Sequence, residues 1–172
     1  AAMLARKEVL LLNVHLKPNE IGNQLKQLGV TTVLHSKERR NQLPSSLRAI
    51  EFEPLESILS NLSLEDTFDW NFNDADIAAI MNTSATTGQF KSVPLRWGQI
   101  RAHVQASQEE LGKTEQDNWL MVLPLFHVSG LSILMRSLYN GTAITILPKY
   151  DEAKVLELIE SEKINMMSLV PT

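Results

Sequence analysis

The stretch Thr83-Ser84-Ala85-Thr86-Thr87-Gly88-Gln89-Phe90-Lys91-Ser92-Val93 gathers side chains suited to one task. Small residues let backbone N–H groups approach an anion, short hydroxyls add donors, and a lysine brings a compact positive charge. Phosphate oxygens are the ligand that fits such a loop. It is not the standard P-loop, in which the lysine directly follows the second glycine and precedes Ser or Thr. Its plainer reading is a polar turn between two strands. A second polar stretch, Pro124-Leu125-Phe126-His127-Val128-Ser129-Gly130, carries His127. A lone loop histidine is more often a structural hydrogen-bonding group than a catalyst. Ser84, His127 and Asp117 supply the residue types of a hydrolase triad, but no nucleophile elbow surrounds the serine. His15, His35 and His103 show no metal-ligand spacing. Arg136 stands on an otherwise apolar run, Leu131 to Met135, either as a helix-end charge or as the partner of a buried carboxylate.

These residues must be positioned by a sizeable fold, and 172 residues suffice for one domain with a core. The hydrophobic share of 44% is ordinary for a globular protein, and the net charge of −4 gives no electrostatic case for nucleic acid or an anionic membrane. No cysteine occurs, which excludes disulfides, thiol nucleophiles and cysteine metal sites and fits a cytoplasmic protein. No apolar run reaches membrane-spanning length.

Strand-like and helix-like segments alternate. Val9 to Leu12 suits a strand covered on both faces. Pro18 then opens a helix in which Ile21, Leu25 and Leu28 form one stripe, ended by Gly29. With Val30 to Leu34 as the next strand, this predicts a βαβ unit. Between His35 and Asp76 the pattern blurs: Lys37 to Arg40 reads as a solvated loop, and Leu55, Ile58, Leu59 and Leu62 as a short amphipathic helix. Ile77 to Met81 is a strand running into the hydroxylated loop, with Val93-Pro94-Leu95 resuming after it. Ile100, Val104, Ser107 and Leu111 keep helical spacing, predicting a helix over 98–111. Trp119 to Leu123 is a strand ended by Pro124. A helix capped by Ser129 runs through Tyr139 to a stop at Asn140-Gly141. Thr142 to Leu147, a helix capped by Asp151 with Val155 and Ile159 on one face, and a strand over Met166 to Val170 complete the series. The class is α/β, with mostly parallel sheets flanked by helices. Ligands in such folds bind beyond the carboxyl ends of the strands, where both polar loops are expected to lie at one edge of one sheet. Ala1 to Ala5 reads as the end of a helix, and the chain is expected to be a fragment.

Taken together, the loop over Thr83 to Val93 and the segment Trp119-Leu120-Met121-Val122-Leu123-Pro124-Leu125-Phe126-His127 resemble two motifs of the AMP-forming adenylating enzymes, the acyl-CoA synthetase family. The extension Val128 to Arg136 and the segment Leu12 to Glu20 are similar to the 2-succinylbenzoate–CoA ligase branch, which serves menaquinone synthesis. Leu169-Val170-Pro171-Thr172 resembles a strand end seen across the family. The likeness covers most of the chain apart from about residues 35 to 75.

The resemblance implies a partial N-terminal domain of an acyl-adenylate-forming enzyme, with about 1–95 in a first α/β subdomain and about 96–172 in a second. It implies small-molecule partners: 2-succinylbenzoate, ATP with Mg²⁺, and coenzyme A, and it is compatible with a homo-oligomer. Thr83, Ser84, Ala85, Thr86, Thr87 and Gly88 would cradle the β- and γ-phosphates, with Lys91 adding its charge. His127 matches the family's gate beside the acyl substrate, and Ser129, Gly130 and Arg136 match the segment that would meet the aromatic acid. Three departures stand out: Ala85 and Ser92 replace family glycines, and Phe90 replaces a proline. A side chain is costly wherever a loop needs positive φ or close backbone approach. The family's Thr-His after the loop is Arg96-Trp97 here. Another acyl- or aryl-CoA ligase, an adenylation domain of a peptide synthetase, and a non-catalytic nucleotide-binding module remain alternatives.

Overall fold

The computed structural model describes residues 3, 6–52, 71–83, 90–161 and 163–169. They form β1 (Val9–Leu11), α1 (Pro18–Gln27), β2 (Thr32–His35), a 3-10 turn (Lys37–Gln42), β3 (Arg48–Glu51), β4 (Ile77–Thr83) and β5 (Lys91–Arg96). There follow α2 (Trp97–Leu111), β6 (Asn118–Met121), α3 (Val128–Asn140), β7 (Ala143–Ile146), α4 (Glu152–Glu160) and β8 (Met166–Met167). The expected helix around Leu55 to Leu62, and the ends Ala1 to Ala5 and Val170 to Thr172 apart from Met3, lie outside the described residues.

The chain divides into two compact units. The smaller contains α1, β2, the 3-10 turn and β3. Helix α1 buries Ile21, Gln24 and Leu25, while Leu28 forms its C-cap and Gly29 takes φ +63°, the left-handed conformation that ends a helix cheaply. Strand β2 pairs parallel with β3, Val33 opposite Ala49. The predicted βαβ unit is therefore corrected, because β1 pairs with β4 and β2 with a strand hidden in the blurred region. Lys37 to Arg40 is not a plain solvated loop: the 3-10 turn is tied down by Arg39, which donates to the Val14 carbonyl at 3.0 Å and to Gln42 Oε1 at 3.1 Å.

The larger unit has two sheets, ordered β1-β4-β5 and β7-β6-β8. β1 runs parallel to β4, β4 and β5 form an antiparallel pair, and β6 is parallel to both of its neighbours. β1 is an edge strand with half-buried residues, not one covered on both faces. Pro94 sits on edge strand β5, where its missing N–H does no harm.

Helix α3 lies where both sheets can use it. Leu131 and Met135 pack with Ala78, Ala79 and Met81 of β4 and with Trp97, Ile100 and Val104 of α2. Ile133, on another face, packs with Trp119 and Met121 of β6. The alternating side chains of β6 then account for α4: Leu120, fully buried, joins Val155 and Leu158 on the opposite side of the strand. Ile159 is 44% exposed, so Val155 and Leu158, not Val155 and Ile159, form the buried stripe of α4. Gly141, at φ +65°, ends α3, and the Asp151 carboxylate accepts the Lys154 N–H at 3.0 Å to cap α4.

Candidate functional site

The residues that lead into the hydroxylated loop belong to the β4–β5 hairpin. Thr83 ends β4, Lys91 begins β5, and the two are register partners. The Thr83 hydroxyl donates to the Lys91 carbonyl at 3.4 Å, and both side chains are exposed. One step further in, Asn82 faces Ser92, whose hydroxyl donates to Asn82 Oδ1 at 2.7 Å. Directly opposed residues share one face of a sheet, so the register puts the Lys91 and Thr83 side chains on the same face of the hairpin. Ser84, Ala85, Thr86, Thr87 and Gly88 lie outside the described residues.

Ser92 is accounted for. It occupies an ordinary strand, and among the described residues Arg6 is the one non-glycine with positive φ. A side chain at this position therefore meets no backbone penalty, and the hydroxyl gains a cross-strand bond. Arg96-Trp97 is equally rooted. The Arg96 N–H donates to Gln99 Oε1 at 2.9 Å and caps α2, while Trp97 stacks on Phe72 with ring centroids 4.0 Å apart. Arg101 donates to the Phe72 carbonyl at 3.1 Å and pairs with Asp74, tying the entry of β4 to the first turns of α2.

His127 leaves the other strand end. After β6 the chain turns at Pro124, whose carbonyl accepts the His127 N–H at 3.0 Å. His127, not Ser129, is the N-cap of α3, and its carbonyl accepts the Leu131 N–H at 3.1 Å. The polar turn chemistry of Ser129 suggested the cap, but the Pro124 turn starts the helix earlier. The exposed imidazole lies against Phe126, centroids 4.7 Å apart, at the positive end of the helix dipole. Gly130 is buried, and a Cβ there would overlap the Leu123 and Pro124 carbonyl oxygens. Its small size lets α3 start directly beneath the turn that carries His127.

The two loops do not share one sheet. Thr83 belongs to the β1-β4-β5 sheet and His127 follows the β7-β6-β8 sheet. Helix α3 connects them physically: it begins at His127 and packs Leu131 and Met135 against β4.

Arg136 is neither a helix-end charge nor, among the described residues, the partner of a carboxylate. Its Nε donates to the Ser132 carbonyl at 3.2 Å and its Nη1 to Ser107 Oγ of α2 at 3.3 Å. The guanidinium carbon lies 4.3 Å from the centre of the Trp119 ring. Burial lowers the Arg136 pKa below the usual guanidinium value; burial and then the Arg136 charge hold His103 below the usual imidazole value. Sequence reasoning missed Ser107 and Trp119 as parts of this cluster. The available signal was a serine on the otherwise apolar stripe of α2. Asp117 is committed elsewhere: its carboxylate accepts from the Thr114 N–H at 3.1 Å and hydroxyl at 2.6 Å, which removes the imagined triad.

Two hollows are lined by none of Thr83, Lys91, His127 or Arg136. One of about 540 Å³ separates α1, at Asn19 and Asn23, from Asn41 and Pro44 in the smaller unit. The other, about 350 Å³, is bordered by Arg6, Phe72, Asp76, Arg96 and Trp97.

Comparison with known proteins bears on this arrangement. A family model described as AMP-binding enzyme matches residues 1–172. A 2-succinylbenzoate–CoA ligase of Lactococcus lactis is 51% identical over 166 residues, covering 96% of this chain and 36% of the relative. The O-succinylbenzoate coenzyme A synthetase of Bacillus subtilis in complex with AMP superposes with a TM-score of 0.84 at 28% identity, covering 98% of this chain and 44% of that one. The same enzyme with ATP and a magnesium ion gives 0.80 at 28% identity, with 96% and 44% covered. The chain thus spans less than half the length of these relatives.

Proposed function

Because the chain belongs to the AMP-binding enzyme family, we propose that it is part of a cytoplasmic AMP-forming acid–thiol ligase that activates 2-succinylbenzoate for menaquinone synthesis. In the first step a carboxylate oxygen of the acid bonds to the α-phosphorus of ATP. The bond from that phosphorus to the α,β-bridging oxygen breaks, and pyrophosphate leaves with the electron pair. In the second step the coenzyme A sulfur bonds to the acyl carbon, its proton is lost to solvent, and AMP departs. Such chemistry depends on placing the reactants and on neutralising charge that spreads over phosphate oxygens.

Residue roles follow within this reading. Thr83 and Lys91, with Ser84, Ala85, Thr86, Thr87 and Gly88, hold the β- and γ-phosphates. His127 stands beside the acyl group, Ser129 and Arg136 face the acid, and Gly130 lets their helix begin under the His127 turn. The observation that carries the reading is the Thr83–Lys91 register pair, which brings a hydroxyl-bearing and an ammonium-bearing residue opposite each other where the two strands flank the segment 84–90. The 51% identity to the lactococcal ligase supports the choice of acid. Magnesium would accompany the triphosphate, whose oxygens are the ligands this ion prefers.

A non-catalytic nucleotide-binding module is the second reading, and its evidence was the loss of two glycines. Ser92 no longer supports it, because the serine fits its strand and bonds Asn82. Substrate-dependent exchange of pyrophosphate into ATP by the full-length protein tests both readings. Exchange that requires 2-succinylbenzoate supports the ligase, exchange driven by another acid reassigns the substrate, and ATP binding without exchange favours the module.

A further inference from the structure

Helix α3 carries a polar stripe that its apolar composition conceals. Ser129, Ser132 and Arg136 fall at i, i+3 and i+7, and all three are half-buried, while Leu131, Ile133 and Met135 are fully buried on the other faces. The stripe starts two residues from His127 and ends in a charge with no counter-ion among the described residues. A half-buried guanidinium keeps part of its charge open, so its uncommitted donors are available to an anionic group.

The surroundings of Arg136 fix how it would meet an anion. Trp119, 5% exposed, lies against the guanidinium with its ring centre 4.3 Å from the central carbon. The helix's own Ser132 carbonyl takes the Nε–H and the Ser107 hydroxyl, on the neighbouring helix, takes one Nη1–H. Three contacts from three elements therefore set both the position and the rotation of a rigid planar fork. A guanidinium has five N–H donors, so the Nη2 pair and one Nη1–H stay uncommitted to the described residues. That is the edge a carboxylate grips with two parallel hydrogen bonds.

We propose that Ser107 and Trp119 are positioning residues for acid recognition: they lock the Arg136 guanidinium between α2 and β6 with its Nη2 edge turned to a carboxylate of the substrate. This rests on the reading above in which Arg136 faces the acid. Neither residue touches substrate; each acts through the arginine. Ser107 holds it through one hydrogen bond, and Trp119 does so through the attraction of a cation to a ring face.

Steady-state kinetics of the full-length protein test the assignment, with KM for 2-succinylbenzoate, KM for ATP and kcat read separately. Ser107→Ala is expected to raise the acid KM about three- to tenfold, with the ATP KM unchanged, as fits loss of one hydrogen bond to a charged group. Ser107→Thr, which keeps the hydroxyl, is expected to restore the acid KM. Trp119→Leu is expected to act in the same direction as Ser107→Ala, and Ser107→Ala is expected to add nothing once Arg136→Gln is present. If Arg136→Gln raises the acid KM but Ser107→Ala does not, the positioning role is overturned while the reading of Arg136 stands. If Arg136→Gln leaves the acid KM unchanged, both fall. If Ser107→Ala lowers only the melting temperature, the serine is a packing residue and the proposal is wrong.

Discussion

At the residue scale, the proposed chemistry depends on side chains whose backbone positions are set by regular structure. Lys91 begins β5, and its backbone lies opposite Thr83. Lys91→Ala removes a charge-assisted contact, so the KM for ATP in the full-length protein is expected to rise about ten- to a hundredfold with the acid KM little changed. Ser92→Gly is expected to lower stability by about 0.5–1.5 kcal/mol, measured by denaturant unfolding, because the Asn82 bond is lost, and to bring no gain in ATP affinity. Gly130→Ala is expected to cost about 1–3 kcal/mol, since its methyl group has to displace two backbone carbonyls. His103 supplies a pH signature. Its pKa in the folded chain lies below the unfolded value of about 6.5, so the unfolded state binds the proton more readily. The stability linked to it is complete above about pH 6.5 and is lost as the pH falls through the folded value. His103→Gln is expected to flatten that acid-side decline in melting temperature.

At the element scale, α3 organises the larger unit. It separates the two sheets, starts at His127, and carries Arg136 to α2 and β6. Ile133 is fully buried, so Ile133→Ala is expected to cost about 2–5 kcal/mol and to reduce acid recognition and nucleotide recognition together. Most of these elements were legible in the sequence. Periodicity located α1, α2 and α4, a cap and a stop located α3, and glycines marked the ends of α1 and α3. What could not be read was pairing. Val9 to Leu11 and Thr32 to His35 each look like strands, but hydrogen-bond partners are set by tertiary packing, and β1 pairs with β4 instead of completing a βαβ unit. The strand Arg48–Glu51 was missed because only Ala49 and Ile50 in it are apolar, and its face is largely exposed. Lys91 and His127 were found as candidates because unusual residue types in polar loops are visible. Ser107 and Trp119 were not, because a serine on an apolar helix stripe is only a faint signal and a tryptophan on a strand reads as core until a guanidinium is seen between them. The start of α3 at His127 was misread because a proline turn and a serine cap give competing signals one turn apart.

At the scale of the whole molecule, the chain covers 36% of its lactococcal relative and 44% of the solved Bacillus enzyme. Under the proposed reading, the residues it contributes serve phosphate and acid recognition, which is part of what the whole reaction needs. The 172 residues alone are accordingly expected to release no pyrophosphate from ATP. The central claim is that the β4–β5 hairpin and the His127 turn serve one acid-activating reaction, and isotope exchange between pyrophosphate and ATP tests it most directly. In the full-length protein the account predicts exchange that depends on 2-succinylbenzoate, falls sharply in Lys91→Ala, and is absent without the acid. Exchange that proceeds undiminished in Lys91→Ala, or that no acid elicits, would contradict it.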